Sequence, residues 1–310
     1  MPVDVNPWAF SPHPEVWLLV GFLAGAYVYM VRVIGPRAVP VGAAPVERRH
    51  WVAFGLAMAM LWLASDWPLH DIAEDYLYSA HMVQHMFLSY VMPPLALLAT
   101  PTWLARALIG DGRLHAVVKF LAKPVVAGLL FNFCVMMLHT PLLVNAAVDQ
   151  PAVVHYSLHV VVVASSLLMW LPVCGPLPEL RLGSAGAMIY LFLQSVVPTV
   201  PAAWLTFAES PIYEAYNKPI RLWGLSVTDD QQLAGAIMKI IGGMYLWAIV
   251  IYLFFKRFAA RFGESHDYHR SGRIPAAEIT GNDDDPLTTA DVEREFARTT
   301  PVTDGVRHHP

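Results

Sequence analysis

The chain has 310 residues, of which 56% are hydrophobic and only 14% charged, against roughly 25% charged in ordinary soluble domains. The net charge of −4 says little, because most of the acid sits in one tail, and nothing in the chain resembles the basic patch of a nucleic-acid binder. The two cysteines, Cys134 and Cys174, lie far apart in apolar stretches and form no metal or disulfide spacing. Length alone would allow two soluble domains, but the apolar runs decide otherwise.

A segment that crosses a hydrocarbon core of roughly 30 Å needs about 20 mostly apolar residues. Seven stretches qualify in chain order: Glu15–Ile34, Trp51–Trp67, Tyr78–Ala99, Pro124–Val144, His155–Val173, Ser184–Phe207 and Gln232–Phe255. They predict an all-α, polytopic membrane bundle of about seven transmembrane helices, occupying residues 1–258. The third and sixth contain Pro93-Pro94 and Pro198/Pro201, which predicts kinks with freed carbonyls turned into the bundle. The first span lacks a basic leader and a small-residue cleavage site, so it reads as an anchor.

Lysine and arginine are distributed unevenly over the short loops. The first, third and fifth carry Arg37, Arg48, Arg49, Arg106, Arg113, Lys119, Lys123 and Arg181, and Lys256, Arg257 and Arg261 follow the last span. The alternate loops hold only Lys218 and Arg221. The positive-inside rule then puts the N-terminus outside and the C-terminus in the cytoplasm. Residues 259–310 turn polar and charged, with Asn282-Asp283-Asp284-Asp285-Pro286 and a terminal His308-His309. Their composition predicts a disordered cytoplasmic tail, with one short helix available over Ala290–Arg298. The outer loop Asp66–Tyr78 reads either as a short amphipathic element at the interface or as a plain acidic loop.

Histidine is expensive inside a membrane and by default marks function. His81 and His85 open the third span, His155 and His159 open the fifth, and His139 lies a few residues before the outward end of the fourth. All five thus share one layer near the outer face. Residues four apart stack on one helix face, so each pair can present two imidazoles to one point. Imidazole is a common ligand for copper and zinc, and the thioethers of Met82, Met86 and Met136 favour copper(I). Against ligation stands interhelical hydrogen bonding, the usual role of an isolated polar residue in a membrane helix. The methionines also fill gaps in packed cores.

Lys239, two turns inside the seventh span, either points inward at this layer or snorkels to the outer interface. Pointing inward would require acids such as Asp66 or Asp230 to balance its charge.

The run from Asp66-Trp-Pro-Leu-His-Asp to Tyr78-Ser-Ala-His-Met-Val-Gln-His-Met-Phe-Leu resembles the signature of the CtaG family, multi-span cytochrome c oxidase assembly factors of the bacterial cell membrane. The resemblance continues through Pro93-Pro94-Leu95, His139-Thr-Pro, His155 and His159, Trp170-Leu-Pro-Val, and Asp230-Gln-Gln-Leu-Ala-Gly-Ala-Ile-Met, covering roughly Asp66 to Tyr252. Residues His81, Met82, Gln84, His85, His139, His155, His159, Asp230, Gln231 and Gly235 match it one by one, whereas Lys239 departs from it. The chain does not resemble the single-span copper chaperone that shares the abbreviation. The resemblance implies a non-enzymatic role in making cytochrome c oxidase by handling copper. Its partners would be oxidase subunits or other copper chaperones, with lipid around the bundle and no nucleic acid.

Two other functions stay open on the sequence. A haem-binding membrane protein would take axial ligands from opposite sides, one from each of two helices. A metal permease would carry polar groups along the whole path, whereas the inner half here offers only Asn132, Ser166 and Gln194.

Overall fold

A computed structural model describes residues 6–271 and Thr289. The expectations for Ala290–Arg298, His308 and His309 lie outside the described residues. Contacts divide the chain into Met1–Phe254 and Phe255–Pro310, and the histidine cluster and the helices that carry it lie in the first unit up to Phe254.

Eleven helices make up the described chain: α1 (Pro14–Ala38), α2 (Arg48–Ser65), α3 (Leu69–Asp75), α4 (Tyr78–Ala99), α5 (Thr102–Ile109), α6 (Arg113–Leu121), α7 (Pro124–Leu138), α8 (Pro141–Asp149), α9 (Val153–Cys174), α10 (Ser184–Thr206) and α11 (Val227–Ser271). Among the described residues there is no strand. Six helices are long and apolar enough to cross a membrane; counting α6 and α7, bent by 74°, as one broken span makes seven. The long helices run back and forth. One end of the bundle therefore collects α3, α8, the start of α9 and the segment 207–226. The opposite end collects α5, α6 and the turn Pro178–Leu180.

Two boundaries differ from the sequence expectation. The fourth span does not reach Val144. Pro141 has no N–H and pushes Thr140 into an extended conformation (φ −73°, ψ 140°), so α7 stops at Leu138 with His139 as its terminal residue. Fifteen residues make α7 only about 22 Å long, short of a full crossing. The last helix, by contrast, continues to Ser271, past Ala259 where the polar tail was expected to begin. No proline interrupts Ala259–Ser271, so the helix propagates beyond the apolar stretch.

Both proline sites depart from the regular α-helix. In α4 the residues before Pro93-Pro94 widen into a π-turn, Phe87–Val91. Pro93 cannot donate to the carbonyl of Ser89, and the Trp170 indole of α9 donates to that oxygen instead (3.0 Å). In α10 the helix breaks at Val197-Pro198 and resumes at Thr199.

Lipid tails are as apolar as leucine, so tight packing and hydrogen bonds hold the bundle together, not exclusion from water. Many large apolar side chains accordingly face outward, among them Leu18, Phe22, Leu129 and Phe133. Inside, Trp170, Tyr90, Phe131, Tyr190 and Leu246 form one cluster. Nearer the histidine end, Tyr78, Met82, Tyr213, Tyr216 and Met238 belong to another. Asn132 of α7 donates to the Gln194 side chain of α10 (3.0 Å) and to the Gly128 carbonyl (2.9 Å), which links two mid-membrane polar groups. Gly235 lets α11 approach α10 closely: a Cβ there would come within 2.6 Å of the Ala202 carbonyl oxygen and 2.5 Å of Thr206 Oγ1.

Candidate metal centre

The site begins with the helix start that carries His81 and His85. The first backbone N–H groups of a helix have no partner of their own, and a carboxylate is the best group to satisfy them. Here it comes from another helix. Asp230 of α11, fully buried, accepts from Tyr78 N (2.8 Å), Ser79 N (3.0 Å) and Ser79 Oγ (2.6 Å). Its charge also suits the positive end of the α4 dipole. The neighbouring Gln231 clamps the segment 207–226, accepting from Ile212 N and Tyr213 N and donating to Tyr213 O. Tyr213 in turn donates its hydroxyl to the carbonyl of His139 (2.7 Å). Burial pushes the Tyr213 phenol up to about 12, so it remains a neutral donor throughout the physiological range. Asp230 and Gln231 thereby fix two of the histidine-bearing elements.

The five predicted histidines do converge. Ring centroids lie 4.4 Å apart for His81 and His85, 4.3 Å for His155 and His159, 5.4 Å for His85 and His159, 5.8 Å for His81 and His159, and 6.5 Å for His85 and His139. Ring nitrogens of His81, His85 and His159 all fall within 4.8 Å of one another. The buried nitrogens His81 Nδ1, His85 Nε2, His139 Nε2 and His159 Nε2 have no hydrogen-bond partner. His139 Nδ1 donates to the Val135 carbonyl (2.7 Å), which fixes the tautomer and leaves its Nε2 lone pair free. His155 is held differently, with Nε2 in contact with Glu74 Oε1.

A cavity of about 30 Å³ lies among the five rings, closed by Tyr78, Met82, Leu138 and Tyr216. A second of similar size abuts His85 and His139 and is lined by Met82, Met86 and Met238. Each has room for a single ion or water. Unpartnered imidazole nitrogens around such a space are costly by themselves and suited to a metal ion that takes nitrogen ligands at about 2.0–2.1 Å.

The auxiliary residues divide. Met82 and Met86 line the cavities, whereas Met136 lines neither. Asp66 accepts from the indoles of Trp17 (2.8 Å) and Trp62 (2.5 Å), so it ties α1 to α2 and balances no lysine. Asp230 caps a helix. Lys239 turns away from the histidines: it is exposed and donates to Thr199 Oγ1 (2.5 Å) beside a separate small cavity.

Sequence reasoning missed the contribution of α3. His70 and Glu74 are both drawn into the bundle: Gln84 Nε2 donates to His70 Nδ1 (3.1 Å), and the His70 ring lies 6.2 Å from that of His155. His13, ahead of α1, bonds to Asp71 and stacks edge-on against His70 at 5.0 Å. Partial burial opposes its protonation, but Asp71 and Glu15 more than compensate and hold its pKa above the ordinary imidazole value. The signal was available: His70 and Glu74 are four apart, a third such pair, within a loop that read as surface.

No curated protein and no solved structure matches this chain significantly. One family does, described as cytochrome c oxidase caa3 assembly factor, and its match spans residues 21–260. That range contains the five histidines, the cap Asp230 and every helix that positions them, and by it the chain belongs to the family of cytochrome c oxidase caa3 assembly factors.

Proposed function

We propose that this assembly factor binds copper(I) through His81, His85 and His159, with His139 and His155 beside them, and passes it to the oxidase. The observation that supports this reading is the set of three ring nitrogens within 4.8 Å of one another, on three histidines that each, like His139, carry a buried nitrogen without a partner. Imidazole nitrogens with the Met82 thioether in the wall, and no thiolate, suit copper(I) better than a hard cation. Two cavities of about 30 Å³ leave no space for a porphyrin, which counts against haem. The hydrogen bond from Asn132 to Gln194 ties up two polar groups of the inner half and counts against a polar path through it. The protein acts as a carrier, not as a catalyst. Its partners are membrane subunits of the oxidase or another copper chaperone.

The test is metal analysis with a visible spectrum on protein purified from copper-fed cells. About one copper per chain and no Soret band is the expected result. A Soret band without copper would overturn the reading.

We further place the histidine end outside the cell membrane, because the loops at the opposite end carry Arg37, Arg48, Arg49, Arg106, Arg113, Lys119, Lys123 and Arg181. In a background free of Cys134 and Cys174, Gln150→Cys should react with an impermeant thiol reagent in intact cells. Asp111→Cys should react only after permeabilisation. The reverse pattern would put the site on the cytoplasmic side.

A further inference from the structure

The rings of His81, His85 and His159 are partly exposed, but each carries a buried, unpartnered nitrogen that an ion must reach. We propose that His13, Asp71, His70 and Glu74 form a route to them, a loading branch along which copper steps from the solvent-facing edge to the three-histidine site. The inference rests on the copper reading above.

Donor atoms follow one another without a wide gap. His13 Nε2 lies 2.6 Å from Asp71 Oδ1, and the rings of His13 and His70 are 5.0 Å apart. His70 Nδ1 lies 3.8 Å from Glu74 Oε1, which touches His155 Nε2. The His155 ring is then 4.3 Å from His159 and 5.6 Å from His81. Side-chain exposure is 51% at Glu15, which bonds to His13, and 15% and 16% at His13 and Asp71. It is 18% at Glu74, 8% at His70 and 4% at His155. Exposure thus falls along the branch from Glu15 to His155, beyond which the three converging rings are again partly exposed.

An ion held at about 2 Å by one donor is within bonding reach of another about 4 Å further on. Each step forms one copper–nitrogen or copper–oxygen bond and breaks another, with no change of oxidation state, and the ion never meets bare hydrocarbon, where a charge is costly. Glu74 is the hinge of the arrangement. Its Oε1 faces His70 Nδ1 on one side and touches His155 Nε2 on the other. The competing account is a static network that merely pins α3 against α4 and α9.

Rates separate the two. Full-length protein in detergent is mixed with copper(I) held by a coloured chelator, and three quantities are read: uptake rate, final copper per chain and thermal midpoint. Glu74→Gln and His70→Phe should slow uptake about tenfold or more, the scale on which residues outside the ligand set act, with the final copper unchanged. His13→Gln, at the exposed edge where folding is least at risk, should slow it as well. Glu74→Asp and His70→Cys keep a donor in place and should load at close to the original rate. Unchanged uptake in Glu74→Gln, His70→Phe and His13→Gln would overturn the branch, most clearly if the thermal midpoint fell. Loss of final copper together with rate would also overturn it, since these groups would then be ligands or supports of the site. Retention of copper by a protein lacking His81 and His85 would instead refute the three-histidine reading and leave these rates without that meaning.

Discussion

Replacing His81 and His85 together with alanine is expected to weaken copper binding at least about 100-fold and to reduce mature oxidase in parallel. Residues merely supporting a metal ligand cost 10–100-fold when removed, and here two of the three converging ring nitrogens disappear outright. The protein itself should still insert, because alanine is cheaper than imidazole in hydrocarbon. Nor should the metal-free fold lose much. His81 Nδ1 and His85 Nε2 have no hydrogen bond to lose, so the double variant relieves two unpartnered groups while opening some space beside Met82. Interhelical glue predicts the opposite pattern: about 0.6 kcal/mol of stability lost per bond and metal content intact. His115→Ala, on α6 at the opposite end, serves as the control and should change neither quantity. Copper per protein and oxidase activity in membranes, normalised to expression, decide the matter. Full copper and full oxidase in the double variant would leave the rings as packing groups only.

The largest effect on the fold is expected from Asp230→Ala. Three hydrogen bonds to the start of α4 vanish, and the N–H groups of Tyr78 and Ser79 are left buried without partners. Each stranded group costs about 1–3 kcal/mol, so a loss of about 3 kcal/mol or more follows. Asp230→Asn keeps an accepting oxygen and should lose roughly 1 kcal/mol, the lower end of that scale. Thermal unfolding in detergent and abundance in membranes measure both. Copper binding should fall with Asp230→Ala even in the folded fraction, because His81 and His85 lie on the first two turns of the freed helix. An Asp230→Ala protein as stable as the original would mean that α4 is held by packing alone.

Much of this architecture was legible in the residues. Apolar length located the long helices, and four-residue spacing located the two histidine pairs, because both follow from the geometry of a single helix. What depends on how one helix is rotated against another was not legible. Met136 and Lys239 lie at depths compatible with the site, yet one lines neither cavity and the other bonds to Thr199 on the exposed side. Asp66 looked like a counter-ion and proved to be the acceptor for two indoles. The end of α7 could have been placed correctly from His139-Thr-Pro alone, since Pro141 forbids Thr140 a helical conformation. Glu74 and His70 escaped because an acidic loop at a membrane surface has a sufficient explanation in water, and nothing local to the sequence says that α3 folds inward.

The cap on α4 has a bearing on how the protein is made. Synthesis proceeds from the N-terminus, so all five histidines have been laid down by residue 159, some seventy residues before Asp230. Until α11 arrives, the helix bearing His81 and His85 has no carboxylate at its start, and the segment that steadies His139 has no Gln231 to hold it. A nascent chain therefore owns the donors before it owns their geometry. Closure of the histidine cluster coincides with insertion of the last span, so a finished bundle, and not a partial one, brings the rings together.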